Sequence, residues 1–234
     1  MRDVKHRYIC KYIDSFTTNA NKLYLIMEYC DRGDLAQYLS RIKSMAQGPL
    51  VSANHLNKQQ HKQPMSWTEI GEARVWRIFL QICLALEVIH EKGIVHADLK
   101  PSNLLMLGSD HIIKLTDFGI AQKLTEGYNF SHDFAGTLPY SSPEVIKGEP
   151  YNAKTDVWAL GCILYELVAG KRAFDFANEE LIKQQIHSYQ IPKLPTAFSS
   201  YETINALSDV YELCMQRNQE KRPSVSDILS IDAV

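Results

Sequence analysis

No stretch of this chain stays apolar long enough to span a bilayer: its most hydrophobic run, Val157 to Ala169, is too short. The N-terminus is polar and charged, so no secretory leader is read there. Net charge is nearly absent, at -2, and no global basic surface advertises nucleic-acid or anionic-membrane binding. Cysteine is sparse. Its five copies (Cys10, Cys30, Cys83, Cys162 and Cys214) are scattered, mostly in apolar runs, without a C-x-x-C pair. Buried reduced thiols in a cytoplasmic or nuclear protein are the simplest account. In such a compartment the glycosylation pattern Asn129-Phe130-Ser131 carries no meaning. There is no internal repeat. The expected partners therefore exclude nucleic acid and membrane, and the expected site is the cytoplasm, with nuclear or cytoskeletal association open.

What remains is an ordinary globular balance, 45% hydrophobic and 22% charged over 234 residues, enough for one sizeable core. Tyr8 to Phe16 and Leu23 to Tyr29 read as two strands, with the polar Thr17 to Lys22 as their turn. Residues 43–63 are rich in Gln, Asn, His and Lys and read as a flexible insertion between two helices. Ser66-x-x-Glu69 has the form of a capping box. Val75, Phe79, Ile82, Leu86 and Ile89 then recur at helical spacing up to Gly93. Asp156 to Gly170 is apolar almost all round, the mark of a buried helix that stops at its glycine. Further helical patterns run over Glu179–Ser188, Glu202–Gln216 and Val225–Ser230, and Ile112 to Thr116 reads as a short strand.

Two motifs carry the chemistry. His96-Ala97-Asp98-Leu99-Lys100-Pro101-Ser102-Asn103 is followed by Asp117-Phe118-Gly119. In this order and spacing they resemble the catalytic loop and the metal-binding turn of a eukaryotic protein kinase. The resemblance implies an α+β, protein-kinase-like fold: an α-rich large lobe over residues 31–234 and a partial β small lobe over residues 1–30. It also implies transfer of the ATP γ-phosphoryl to a protein serine or threonine hydroxyl, with ATP and Mg2+ as cofactors. Catalysis of that reaction is mostly positioning and neutralisation of charge on phosphoryl oxygens. By resemblance, Asp98 is the base and Lys100 the phosphate-contacting cation, typical of the serine/threonine branch. Asn103 and Asp117 are the magnesium ligands, since hard cations take oxygen donors.

The likeness extends along the chain. Gly136-Thr137-Leu138-Pro139-Tyr140-Ser141-Ser142-Pro143-Glu144 resembles the end of an activation segment, where Thr137 would bond Asp98 and Lys100. Glu144 would pair with Arg222, and Asp156 would hold backbone amides of the catalytic loop from below. Leu23 to Cys30 resembles the strand entering the hinge: Met27 is the gatekeeper, the backbones of Glu28 and Cys30 bind adenine, and Leu105 packs under the ring. Met27 to Leu35, Gln81 to Leu86 and Asp156 to Cys162 are similar to the NIMA-related (NEK) kinases.

Departures are also visible. Ala97 stands where the family has an Arg that grips a phosphorylated activation segment, which implies that this chain does not need such phosphorylation, although Thr125, Ser131 and Thr137 are available. No Gly-x-Gly-x-x-Gly and no Val-Ala-Ile-Lys-like motif occur, and Lys5, Lys11 and Lys22 read as surface residues rather than substitutes. Met1 to Ile9 resembles the loop after the small lobe's regulatory helix, so those parts would fall before residue 1. The expectation is weak ATP binding and little activity for the isolated chain. An alternative to the enzyme is a catalytically impaired interaction module on the same fold.

Overall fold

A computed structural model describes residues 4–46, 70–109, 111–118, 121–123, 137–175, 178–188, 190–195 and 201–231. Among them it holds seven α-helices and three two-stranded antiparallel sheets. The chain enters through a hairpin of β1 (Tyr12–Thr17) and β2 (Leu23–Met27), with Phe16 opposite Tyr24 and Thr17 opposite Leu23. Both strands are shorter than the sequence implies. Residues 8–10 instead leave the hairpin to run along a second sheet.

Helix α1 (Leu35–Ala46) starts where Asp34 Oδ1 accepts the Gln37 N–H at 2.8 Å, a side-chain cap on an otherwise orphan donor. The first four residues of the expected insertion, 43–46, belong to this helix; the rest of it lies outside the described residues. Helix α2 (Glu72–His90) begins after Gly71, whose φ of 70° only glycine adopts without strain, and it has no side-chain cap. The expected capping box at Ser66 and Glu69 lies outside the described residues. All five apolar residues at helical spacing on α2 are buried, Val75 through Ile89.

A two-residue strand β3 (Ile94–Val95) pairs with β6 (Gln122–Lys123). Between them β4 (Leu104–Leu107) and β5 (Ile112–Leu115) form the second sheet. Ile9 bridges Leu115 in parallel, and Asp34 bridges Leu105, so the sheet gains a partner on each edge. The buried Gln81 amide oxygen accepts the Ile113 N–H at 2.9 Å and ties α2 to β5.

After the short α3 (Pro143–Lys147), helix α4 (Lys154–Ala169) is the central column. Its side chains are buried on nearly every face, as its composition demands. A Cβ on Gly161 would lie 2.7 Å from Met215 Sδ and 2.8 Å from Cys214 Cβ, so only glycine lets α4 approach this close to the end of α6 (Tyr201–Cys214). Gly170 stops α4 at φ 69°. α5 (Glu179–Ser188) and α7 (Val225–Leu229) complete the body, the latter opened by a capping box between Ser224 and Asp227. Under α4, Arg222 is 1% exposed. Its guanidinium donates to Glu144 Oε1 at 2.7 Å and to the Lys154 carbonyl at 2.8 Å, the pairing a buried charge requires.

Candidate active site

The loop from His96 to Asn103 is short, and its shape is imposed from outside. Asp156, 1% exposed on α4, accepts the His96 N–H through Oδ2 and the Ala97 N–H through Oδ1, each at 2.9 Å. Burial pushes its carboxyl up, yet the His90 hydrogen bond and the imidazole charges outweigh this and hold it below its ordinary value. The His90 partner, at 2.8 Å, was not legible in the sequence. Ala97 sits at φ 63°, a left-handed conformation that costs a non-glycine residue about 1 kcal/mol or more. The two amide bonds to Asp156 fix that turn, and Asp98 follows it.

At Asp98 four of the expected residues meet. Lys100 Nζ donates to Asp98 Oδ2 at 2.6 Å and to Thr137 Oγ1 at 2.7 Å, while Thr137 donates its own proton to Asp98 Oδ1 at 2.8 Å. Asn103 Nδ2 donates to the Asp98 carbonyl at 2.9 Å and to Oδ2 at 3.3 Å. Asn103 is brought there by a single 3-10 turn (Pro101–Asn103), in which Pro101 supplies a fixed φ at the first position. The result is one carboxylate and one ammonium locked together, each with only a small opening to solvent. Such a group can accept a proton from a hydroxyl brought beside it, with a cation ready to neutralise an anionic neighbour.

Asp117 follows at the exposed end of β5 with φ 60°. It is linked to the cluster through Thr116, whose N–H donates to the Asn103 carbonyl at 3.0 Å and whose carbonyl meets His96 Nε2 at 2.9 Å. The Phe118 ring packs 5.1 Å from that imidazole. The oxygen donors of Asn103 and Asp117 fit a small hard cation, which ordinarily binds one or two protein oxygens together with substrate phosphates. Gly119 lies outside the described residues, as do Gly136, Thr125 and Ser131.

The hinge candidates are Met27 on β2, Glu28 and Cys30 in the segment after it, and Leu105 on β4. Met27 ends β2, and the segment after it folds back along β4: Arg32 N–H donates to the Met106 carbonyl, and Met106 N–H to the Gly33 carbonyl. Asp31 accepts the Gly108 N–H at 2.8 Å, a bond that holds its carboxyl below the usual range. Leu105 is half-buried beside Asp34 on this platform. Glu28 donates its own N–H to the Lys11 carbonyl, and its carbonyl receives a long contact of 3.7 Å from the Cys10 thiol. Cys30 is half-buried, its thiol pushed up to about 11 by burial and the neighbouring Cys10 and Glu28.

Sequence reasoning missed the Glu28 side chain. Its Oε1 accepts from Lys114 Nζ at 2.8 Å and from the Lys11 N–H at 2.6 Å. A lysine inside the apolar run Ile112 to Leu115 was the available signal, since a buried ammonium needs a partner. Also unforeseen is the bond from Tyr140 to Glu166 Oε2 at 2.6 Å, which anchors the segment after Thr137 to α4. Lys5, Lys11 and Lys22 are exposed, as read.

A protein kinase domain model matches residues 1–232. The chain is 36% identical over 229 residues to serine/threonine-protein kinase Nek1 of Mus musculus, covering 98% of this chain and 16% of that protein. It is 34% identical over 230 residues to serine/threonine-protein kinase nekl-2 of Caenorhabditis elegans, covering 98% and 58% respectively. A probable serine/threonine-protein kinase, nek2 of Dictyostelium discoideum, is 32% identical over 233 residues, covering 98% and 49%. The chain therefore spans between about a sixth and three fifths of the length of these relatives.

Proposed function

Because the chain belongs to the protein kinase family, with serine/threonine kinases of the NEK group as its relatives, we propose that it transfers the γ-phosphoryl of ATP to a protein serine or threonine hydroxyl. The observation that carries this reading is the meeting of Lys100, Asn103 and Thr137 on the Asp98 carboxylate. In the transfer, the acceptor oxygen attacks the γ-phosphorus, the bond to the β-phosphate oxygen breaks, and ADP leaves. The acceptor's proton passes to Asp98. Lys100 faces the transferring oxygens, and Thr137 holds Asp98 against rotation. Asn103 and Asp117 would hold magnesium, which neutralises and orients the phosphates when bound. The Glu28 and Cys30 backbones would receive adenine over Leu105. Residues 1–30 act as small-lobe and hinge structure, residues 31–234 as the large lobe. Ala97 removes the usual phosphate grip, so activity does not depend on a phosphorylated activation segment. The free thiols suit a reducing, cytoplasmic setting. Nothing in the comparisons favours the interaction-module alternative.

The test is phosphate transfer from γ-labelled ATP with Mg2+ to a pool of serine and threonine peptides. The parent chain is expected to label them slowly and only at high ATP, because its sequence carries neither the Gly-rich motif nor the phosphate-pairing lysine. Asp98→Asn is expected to reduce the rate by about 10²- to 10⁴-fold with little change in melting midpoint. A parent chain that binds ATP yet labels nothing would overturn the reading.

A further inference from the structure

Following the hinge backbone from Glu28 to Asp34, across the bridge to Leu105, along the ladder to Lys114 and back through the ion pair gives a closed ring. Three of its links are main chain. The fourth, Lys114 Nζ to Glu28 Oε1, is made by side chains alone. Both partners are mostly shielded, with side-chain exposures of 10% and 22%. Lys114 lies directly opposite Leu105 and three residues before Asp117, between Ile113 and Leu115, which are fully buried. β5 is thus pinned in the core and cannot follow a moving hinge without strain. The Glu28 carboxylate is itself held from two sides, by Lys114 and by the Lys11 N–H. His6, Cys10 and Cys30 are among the titratable groups that feel the charge of the pair.

Stability alone does not account for such a pair. A buried ion pair is often no better than well-packed apolar residues of the same volume, because desolvation offsets the attraction. What it adds here is geometry: it sets the distance between the main-chain groups that would receive adenine and the strand that delivers Asp117. We propose that Glu28 and Lys114 are a positioning pair that couples adenine recognition at the hinge to magnesium–phosphate binding at Asp117. This rests on the kinase reading of the site.

Adenosine, which occupies only the hinge half, and Mg·ATP, which needs both halves aligned, are the probes. Calorimetry on the full chain would compare their affinities for the parent, Glu28→Gln, Lys114→Met and the double variant Glu28→Leu/Lys114→Met. Opening the ring is expected to lower Mg·ATP affinity by about tenfold while adenosine affinity moves less than about twofold. The double variant should regain the melting midpoint but not the Mg·ATP affinity, an outcome a merely structural pair does not give. Equal losses for both probes, or a parent-like ratio in the double variant, would overturn the coupling. If the parent binds neither probe, the kinase reading fails, and hydrogen exchange then decides the pair by itself. Glu28→Gln should accelerate exchange at the amides of Leu115 to Phe118, and unchanged protection there overturns the positioning role.

Discussion

The hairpin β1–β2 and the column α4 are both rich in apolar residues, and they use them in opposite ways. On α4, Val157, Trp158, Leu160, Ile163, Leu164 and Leu167 are at most 1% exposed, and Trp158 stacks on Phe174 while lying under the Arg222 guanidinium. On the hairpin, Ile13, Leu23 and Leu25 are 56%, 65% and 60% exposed, and Phe16 stacks on Tyr24 at 5.2 Å across the strands. A two-stranded hairpin is marginal by itself, because it cannot bury either face. It keeps its place through main-chain bonds to β5 at residues 8–10 and through Glu28 and Lys114. Hydrophobicity therefore stabilises the body, whereas the hairpin is oriented by hydrogen bonds and one ion pair.

That contrast can be broken most severely at Arg222. Arg222→Ala strands the buried Glu144 carboxylate and should cost about 3–5 kcal/mol in urea unfolding. A loss under 1 kcal/mol would mean the body tolerates unpaired charge as the hairpin tolerates exposed leucine. Asp156→Asn comes next, at about 2–3 kcal/mol near neutral pH, since two amides and His90 lose an ionised acceptor. The sign follows from its lowered folded pKa. The contribution is fully present above the ordinary carboxylate value of 3.8 and is lost as the pH falls through the lower folded one. The difference in stability between parent and Asp156→Asn should thus shrink on acidification below about pH 4. A difference that stays constant or grows with acid would remove Asp156 from the account.

Ala97→Gly probes the loop that the body holds in shape. Relief at φ 63° should raise stability by about 0.5–1 kcal/mol, read as a shift of the denaturation midpoint. A destabilised variant would show that the turn is not strained. The smallest effect is expected on the hairpin: Leu25→Thr should change stability by less than about 0.5 kcal/mol, because little surface leaves or enters water there. A loss of 2 kcal/mol would reveal that the hairpin face is covered in solution.

Much of this was legible beforehand because the chemistry is written locally. Asp98, Lys100 and Asn103 lie within six residues, and a 3-10 turn is enough to converge them. The buried helix around Trp158 and the stripe from Val75 to Ile89 follow from periodicity, which depends on neighbours three and four residues away. The start of α2 at Gly71, without a side-chain cap, was not read in the sequence, whose expected capping box lies outside the described residues. Strand ends were also misplaced, because residues 8–10 are β-prone but are claimed by β5 rather than by the hairpin.

The sequence by itself determined the family, the order of elements and the identities of the groups around Asp98, since each depends on residue type and short spacing. The motifs also implied Asp156 and Thr137 as supports of those groups, and only the tertiary structure decided the remaining ones. His90 reaches Asp156 across 66 positions, Tyr140 reaches Glu166 across 26, and Lys114 reaches Glu28 across 86. None of the motifs read in the sequence covers these three pairs. These pairings form because a charge or hydroxyl shut away from water must find a complementary partner, and the fold determines which one is within reach.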